Sequence, residues 1–185
     1  MTRRVAYQGA AGAFGEEACH AFLPDWLAVA KPTFAAVVEA VRNGEVDRGM
    51  LPLRNNTAGA VPSVDRLIRE NGLVLLSSHR LPVRMHLLAL PGAGRDGISR
   101  VASHPMALAQ CRKWLLEAGL RVEEEANTAL AAQALARSGD LGKAVIASEN
   151  AATVYGLAIL ARGIQDAQDN ATTFGIIGPP EGERS

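Results

Sequence analysis

The sequence predicts an α/β fold in which parallel or mixed β-sheets are covered by helices. Short apolar runs of strand type alternate along the chain with helical patterns of about 10 to 15 residues. No repeat of about 20 to 50 residues indicates a solenoid. The chain has 185 residues, of which 48% are hydrophobic and 21% charged. It is therefore long enough for one sizeable core or two small lobes, and its composition is typical of a folded globular protein.

The first half of the chain begins with a strand, a glycine-rich turn and a helix. Apolar spacing, capping residues and stop signals then predict two more helices with a strand between them. The predicted elements are a strand at residues 3–8, a helix from Phe14 that ends before Pro24, a helix capped by Thr33 that stops at Asn43–Gly44, a strand at residues 46–53 and a helix over about residues 60–70.

The second half repeats the strand and helix alternation. Residues 73–90 are predicted as two extended runs interrupted near Pro82, where the missing hairpin turn favours a chain that passes between two lobes. The remaining predicted elements are a loop at residues 92–97, a short strand before a helix capped by Ser103 or His104 that starts at Pro105 and stops at Gly119, a strand from Arg121, a helix capped at Asn127–Thr128, a strand before a short helix opened by Ser148, and a last strand at residues 172–178.

Charge and cysteine usage exclude several classes of function. Nineteen basic residues balance nineteen acidic ones, and no basic stripe is present, so a nucleic-acid partner is not expected. No apolar run approaches the ~20 residues that span a bilayer, and no signal peptide is recognisable, so we expect a cytoplasmic protein without a membrane partner. Cys19 and Cys111 lie far apart and are expected to be buried, reduced thiols. The scattered histidines predict no metal site, and no cofactor is expected.

Polar groups follow several predicted strands, where free helix N–H groups also point at anions. The glycines at 9, 12 and 15 make either a tight turn or an anion-binding turn. The stretch of Asn55, Asn56 and Thr57 either satisfies loop backbone and caps the next helix or contacts a ligand. Four more residues each have a local structural interpretation, as a helix cap, a helix-dipole partner or common strand residues: His104, Glu149, Thr172 and Thr173.

Six segments, in order and spacing, resemble the catalytic domain of the prephenate dehydratase family over about residues 4–178. They are YQGAAGAFGEEA, PTFAAVVEAVRNGEVDRGMLPLRNNTAGAV, SHPMALAQCRKWL, NTALAAQALA, AVIASENAATVYGLAILARGIQD and NATTFGIIG. This resemblance implies a two-lobed fold similar to type II periplasmic binding proteins, with each lobe a mixed sheet flanked by helices and a ligand cleft between the lobes. A homodimer is common in the family and is expected here.

The resemblance also implies a division of the chain. Residues 1–77 and 166–178 are expected to form the first lobe, residues 78–165 the second, and residues 179–185 a tail, with two chain crossings as the hinge. No regulatory ACT domain follows residue 178 in the sequence, so feedback control is not expected.

In the family's site, Thr172 corresponds to the proton donor, and we expect Asn55 and Glu149 to assist it. The residues expected to bind the substrate are Ala10, Ala11, Phe14, Asn56, Thr57, Ser103, His104, Thr128, Ser148, Thr173 and Phe174. The chain departs from the family pattern at four places: Asn55 for a glutamate, Thr173 for an arginine, Met106 for a glutamine and Gly15 for a serine.

The activity implied is that of a carbon–oxygen lyase acting on prephenate, a small dicarboxylate, in aromatic amino-acid biosynthesis. It would remove carbon dioxide and the ring hydroxyl to give phenylpyruvate. Because an acid and a base are both replaced, two alternatives stay open. One is a prephenate decarboxylase or related tailoring lyase that leaves the ring non-aromatic, and the other is a noncatalytic module that binds small anions.

Overall fold

The computed structural model describes residues 2–180, so most of the predicted tail at 179–185 lies outside the described residues. The strands are β1 Arg4–Gln8, β2 Leu27–Lys31, β3 Arg48–Asn55, β4 Gly59–Ala60, β5 Val74–Pro82, β6 His86–Ala89, β7 Arg100–Ser103, β8 Arg121–Glu124, β9 Lys143–Ala147, β10 Ala158–Ala161 and β11 Ala171–Gly178. The helices are α1 Phe14–Phe22, α2 Phe34–Arg42, α3 Pro62–Glu70, α4 Pro105–Gln110, α5 Arg112–Ala118, α6 Thr128–Ser138 and α7 Glu149–Tyr155.

The chain forms two compact units. The first takes the described residues up to Ala10, then Phe14–Pro82 and the residues from Ala171 on. The second takes Ala11–Ala13 and Val83–Asn170. The units divide five residues after the predicted positions 77 and 165, because β5 extends to Pro82 and pairs along its length with β11. The division also places three residues of the glycine-rich turn in the second unit, which the sequence did not predict.

The first unit contains a mixed sheet of order β2-β1-β3-β11-β5, with β4 paired to β3. β1, β2 and β3 run parallel, whereas β11 is antiparallel to both of its neighbours. Apolar side chains of α2 and α3 pack on one face of this sheet against Leu51 and Ile177, which are fully buried. Thr33 caps α2 as predicted, with its Oγ1 accepting from the Ala36 N–H.

The second unit contains a mixed sheet of order β10-β6-β9-β7-β8. β7 is parallel to β8 and β9, and β6 is antiparallel to β9 and β10. Helices α6 and α7 cover a core that includes Leu88, Leu135 and Val145. The predicted α/β class, with two mixed sheets flanked by helices, is therefore confirmed.

Three strands were not predicted, namely β2, β4 and β10. β2 and β10 are continuous apolar runs, LAVAK and AILA, of only five and four residues, and a run this short does not by itself distinguish a strand from a helical segment. The helix predicted from Pro105 to Gly119 is instead two helices, which meet at Cys111, whose φ of −114° and ψ of 19° lie outside the helical region. No helix within residues 2–180 is long and apolar enough to cross a membrane.

Both cysteines are free and buried. Burial raises the pKa of the Cys19 thiol to about 12, with a smaller contribution from Glu16. Burial likewise raises the pKa of Cys111 to about 12, with a smaller contribution from Asp166. The prediction of buried, reduced thiols is confirmed. Among residues 2–180, no three His, Cys, Asp or Glu side chains are grouped so that they could hold a metal ion.

Candidate functional site

The polar strand ends of the first unit meet at one edge of its sheet. β3 ends at Asn55 and β11 begins at Ala171. Because the two strands are antiparallel, Thr172 lies directly opposite Asn55 in the ladder. Opposed side chains of an antiparallel pair have Cβ atoms about 5 Å apart and project from the same face. Two residues 117 positions apart in the chain are thereby placed in contact.

A hydrogen bond joins these two side chains. The Asn55 amide donates to Thr172 Oγ1, with an Nδ2···Oγ1 distance of 2.9 Å. The other end of the amide is fixed by the following turn, in which Asn55 Oδ1 accepts from the N–H groups of Thr57 and Ala58, each at 2.9 Å, and from Thr57 Oγ1 at 2.6 Å. Since only the carbonyl oxygen accepts from N–H groups, these bonds determine which end of the amide faces Thr172.

Asn56 holds the two strand ends together. Its backbone N–H donates to the Ala171 carbonyl at 3.0 Å, and its side-chain Oδ1 accepts from the Ala171 N–H at 2.8 Å. None of residues 55–57 caps α3, whose N-cap is Val61 without a side-chain bond. The capping interpretation of this stretch was therefore wrong. The short strand β4 lies between the asparagines and the helix, and the asparagines bond to β11 and to the turn instead.

The two residues after Thr172 have different environments. Thr173 lies opposite Arg54 on β3 and opposite Arg80 on β5. Phe174 is 3% exposed and belongs to the core of the first unit. The expected contact between Phe174 and a substrate ring stays a prediction, as does the expected contact of Thr173. Arg54 was not identified from the sequence, because its strand-end position alone did not show that it faces Thr173.

The glycine-rich turn is divided between the units. Ala10 and Phe14 belong to the first unit, and Ala11 to the second. Within the second unit, the Ala11 carbonyl accepts from the Tyr155 hydroxyl at 2.6 Å. Gly12 has a φ of +86°, and a Cβ there would lie 2.8 Å from the Ala151 Cα. This glycine is therefore required both by its conformation and by close backbone packing.

Two serines expected to bind substrate are buried and hydrogen-bonded in the second unit. Ser103 is fully buried and donates to the Ile146 carbonyl at 2.7 Å. Ser148 is 1% exposed, donates to the Gly12 carbonyl at 2.8 Å and caps α7 by accepting from the Ala151 N–H at 3.0 Å. A ligand carboxylate would have to displace the donated bonds to accept from either hydroxyl, so their substrate contacts stay predictions.

The other predicted residues of the second unit lie at helix starts. His104 is the N-cap of α4, where its Nδ1 accepts from the Met106 N–H at 3.1 Å, which fits one of the two expected caps. Thr128 is the first residue of α6, behind the Asn127 cap, whose Oδ1 accepts from the Leu130 N–H at 2.7 Å. Each position is half-buried or exposed.

Glu149 forms an exposed ion pair with Arg162, whose Nη1 donates to Oε1 at 2.8 Å. This hydrogen bond and the charge of Arg162 lower the pKa of Glu149. Nearby His86 is 6% exposed and accepts through Nδ1 from the Gly163 N–H at 3.2 Å. Burial lowers the pKa of His86, opposed in part by Glu149. His86 was not singled out from the sequence; a histidine within the apolar run MHLLAL was the available signal.

The fold and the strand-end site define a two-unit α/β protein in which the Asn55 amide holds the Thr172 hydroxyl at the point where an antiparallel strand enters a mixed sheet. The family model of prephenate dehydratase matches residues 5–182. The chain therefore belongs to the prephenate dehydratase family, and the resemblance drawn from its sequence is confirmed.

Individual relatives agree with this assignment. The chain is 41% identical over 175 residues to arogenate dehydratase 1 of Petunia hybrida, covering 94% of this chain and 41% of the relative. It is 37% identical over 174 residues to a bifunctional N-acyl-homoserine lactone acylase/prephenate dehydratase of Komagataeibacter europaeus, covering 94% and 62%. The prephenate dehydratase structure from Arthrobacter aurescens, in complex with L-Phe, matches with a TM-score of 0.89 and 28% identity, covering 98% and 63%. The chain thus spans 41% and 62% of the length of these two sequence relatives.

Proposed function

We propose that the protein is a lyase that converts prephenate to phenylpyruvate, with Thr172 as the proton donor. The observation that carries the proposal is the hydrogen bond from the oriented Asn55 amide to Thr172 Oγ1. This bond occupies an acceptor position of the hydroxyl, so the hydroxyl proton is left to point at another acceptor. An incoming leaving group is such an acceptor.

The reaction consumes one proton overall. The bond between the ring and its hydroxyl breaks as that oxygen takes the Thr172 proton and leaves as water. The bond to the ring carboxylate breaks as well, carbon dioxide leaves, and its electron pair enters the ring, which becomes aromatic. Thr172 Oγ1 regains a proton from water. While Thr172 is deprotonated in part, the Asn55 N–H stabilises the negative charge on Oγ1.

Glu149 has no place in this proton transfer. A carboxyl whose pKa is lowered by Arg162 is ionised near neutral pH and has no proton to give. Its proposed contribution is to the charge of the second unit. The expected substrate contacts of Asn56 and Thr57 remain part of the proposal as neutral donors.

Prephenate is favoured over arogenate by the charge of the strand ends. Arogenate carries an ammonium group where prephenate carries a keto group, and a bound ammonium requires an anionic or carbonyl partner. The side chains of residues 54–57 and 171–174 include no carboxylate.

Turnover of prephenate tests the proposal directly. The purified full chain is incubated with prephenate and, separately, with arogenate, and products are followed by aromatic absorbance and identified by mass spectrometry. Phenylpyruvate formed from prephenate supports the proposal. A non-aromatic keto acid would instead identify the decarboxylase alternative, and unchanged prephenate that nevertheless binds would identify an anion-binding module.

A second activity is assayed with the same preparation. The Komagataeibacter europaeus relative, 37% identical, is named both as an acylase of N-acyl-homoserine lactones and as a prephenate dehydratase. Release of homoserine lactone from an N-acyl substrate, with and without Thr172→Val, therefore shows whether this chain has that activity and whether it uses the same hydroxyl.

A further inference from the structure

We infer that one edge of the first unit binds a second copy of this chain. The surface, called the edge patch below, consists of four apolar residues at the start of β5 and on β3: Leu53, Val74, Leu75 and Leu76. The inference is independent of the proposed reaction, because none of these residues is assigned to the substrate.

The edge patch lies on the last strand of its sheet. Within residues 2–180, β5 pairs with β11 alone, and proteins usually protect such an edge with charged residues, proline or a covering element. The first five residues of β5, VLLSS, include neither a charge nor a proline. Three of them are exposed apolar side chains, namely Val74 at 36%, Leu75 at 49% and Leu76 at 37%. A covering partner would remove this apolar surface from water.

The partner is expected to contact side chains rather than to extend the sheet. The pairing of β5 with β11 shifts register between Leu75 and Ser77, so Leu76 is an extra residue in the ladder. An irregularity of this kind bends the strand and disrupts its hydrogen-bonding edge, which disfavours addition of another strand. The exposed side chains remain available for packing.

The edge patch continues into a hollow of about 420 Å³ between α3 and β5. Ile68 and Leu73 line the hollow together with three residues of the patch. A Cβ on Gly175 would lie 2.6 Å from Leu75 Cδ1 and 2.9 Å from Leu53 Cδ1, so both leucines lie over this glycine. The exposed leucines and the hollow therefore form one apolar surface, and contiguous surfaces of this kind mark contacts between proteins.

Two opposite charges beside the hollow select a second copy as the partner. Asp65 and Arg69 line the hollow, and both are exposed. Neither side chain forms an ion pair or hydrogen bond with any residue in the described range 2–180, although Arg66 and Glu70, at the same spacing on α3, are paired. An unpaired acid and an unpaired base one helical turn apart are complementary to the same two residues of a symmetric partner.

The symmetry fixes how the two copies meet. In a two-fold dimer the same surface of each copy forms the interface, and the axis lies in that interface. An axis that crosses α3 between Asp65 and Arg69 sets the two copies of this helix antiparallel, so each Asp65 faces the partner's Arg69. Because the edge patch lines the same hollow as these charges, the same axis brings the two patches together.

The available area is sufficient for a weak dimer. The nine residues of β5 extend about 30 Å. The sheet layer and α3 together give the edge a width of about 20 Å. The product is on the order of 600 Å² per copy, which is near the lower limit for specific interfaces. We therefore expect a Kd on the order of 1–100 μM.

The experiment measures the association of the full chain by sedimentation equilibrium from about 2 to 400 μM, a range that brackets the expected Kd. The variants are Leu75→Glu, Leu76→Glu, Arg69→Asp and the charge exchange Asp65→Arg/Arg69→Asp. Leu116→Glu is the matched control, because Leu116 is a leucine of α5 in the second unit that is 72% exposed. Calorimetry reports whether each variant stays folded, and Leu76→Glu replaces Leu75→Glu if the latter does not fold.

Leu75→Glu should weaken the dimer at least a hundredfold, since symmetry places two carboxylates in an apolar interface. Arg69→Asp should weaken it about tenfold, because aspartates would then face each other across the axis. The charge exchange should restore the Kd to within about threefold of the parent. This recovery cannot come from a more stable helix, since the exchange opposes the dipole of α3. Leu116→Glu should change the Kd by less than about threefold.

Three results would overturn the inference. The first is a parent that stays monomeric over the whole concentration range. The second is a dimer that resists both leucine variants of β5, or that Leu116→Glu weakens as much as they do, which would place the interface elsewhere. The third is a charge exchange that associates no better than Arg69→Asp, which would exclude the two-fold pairing of Asp65 with Arg69.

Discussion

Replacing Thr172 with valine separates the chemical role of its hydroxyl from its structural role. Valine keeps the branched shape and removes Oγ1, so the Asn55 amide loses its acceptor at 2.9 Å. The pair is only partly buried, and a neutral hydrogen bond of this kind contributes about 0.5–1.5 kcal/mol to the free energy of unfolding. For a chain of this size, that corresponds to a decrease in Tm of about 1–6 °C.

The expected loss of activity is much larger than the loss of stability. A positioned proton donor contributes about 10²- to 10⁴-fold to a rate, so kcat for prephenate should fall by that factor while the protein stays folded. Calorimetry gives Tm, and aromatic absorbance gives kcat. Thr172→Ser restores a hydroxyl at the same position and should keep activity within about tenfold of the parent.

A second threonine of the first unit supplies a matched control. Thr33 Oγ1 accepts from the Ala36 N–H at 3.1 Å and caps α2, so Thr33→Val also removes one hydroxyl bond and should cost about 0.5–2 kcal/mol. It should leave kcat unchanged. If Thr172→Val retained kcat within about threefold of the parent, Thr172 would not be the proton donor, and its bond to Asn55 would only join two strand ends.

Three further perturbations test other parts of the structure. Asn55→Asp keeps an acceptor for the turn but replaces the amide donor with an oxygen, so the Thr172 hydroxyl would donate to the aspartate. The kcat should then fall about tenfold or more, with little change in Tm. An unchanged kcat would contradict the role of the amide. Burial lowers the pKa of His86, so below a pH of about 6.5 the unfolded chain binds a proton that the folded chain does not. The free energy of unfolding, measured in urea, should therefore decrease from pH 7.5 to 5.5 more steeply in the parent than in His86→Gln. Equal slopes in the two proteins would contradict this expectation. With pKa values of about 12, Cys19 and Cys111 should react with a thiol reagent at pH 8 only after denaturation, and rapid labelling of the native protein would show that a thiol is accessible.

The fold class followed from local signals that need no tertiary information. Thr33 before an apolar helical face, and Gly119 after one, predicted the start of α2 and the end of α5, because caps satisfy backbone groups within a few residues of themselves. The strands that were missed are short, and two of them, β2 and β10, pair with strands distant in sequence. β2, for example, aligns with β1 across a complete helix.

The sequence also predicted that Thr172 and the asparagine stretch belong to one site, through a resemblance to the family whose model matches the chain. It left several functions open for the same residues, since an asparagine after a strand can cap a helix, close a turn or contact a ligand. Only the three-dimensional structure shows that Asn55 closes a turn with its oxygen and holds Thr172 with its nitrogen.

The order of residues along the chain determined which groups are available: β3 ends at Asn55, Asn56 follows it, and Thr172 and Thr173 come directly after the first residue of β11. The antiparallel register of β3 and β11 decided which of them face one another. Register depends on hydrogen bonds between strands more than 100 residues apart, and a shift by one residue would pair Asn55 with Thr173 and move every side chain to the other face. The sequence by itself could therefore supply a hydroxyl and an amide, but the hydrogen bond between Asn55 and Thr172 is a property of the folded sheet.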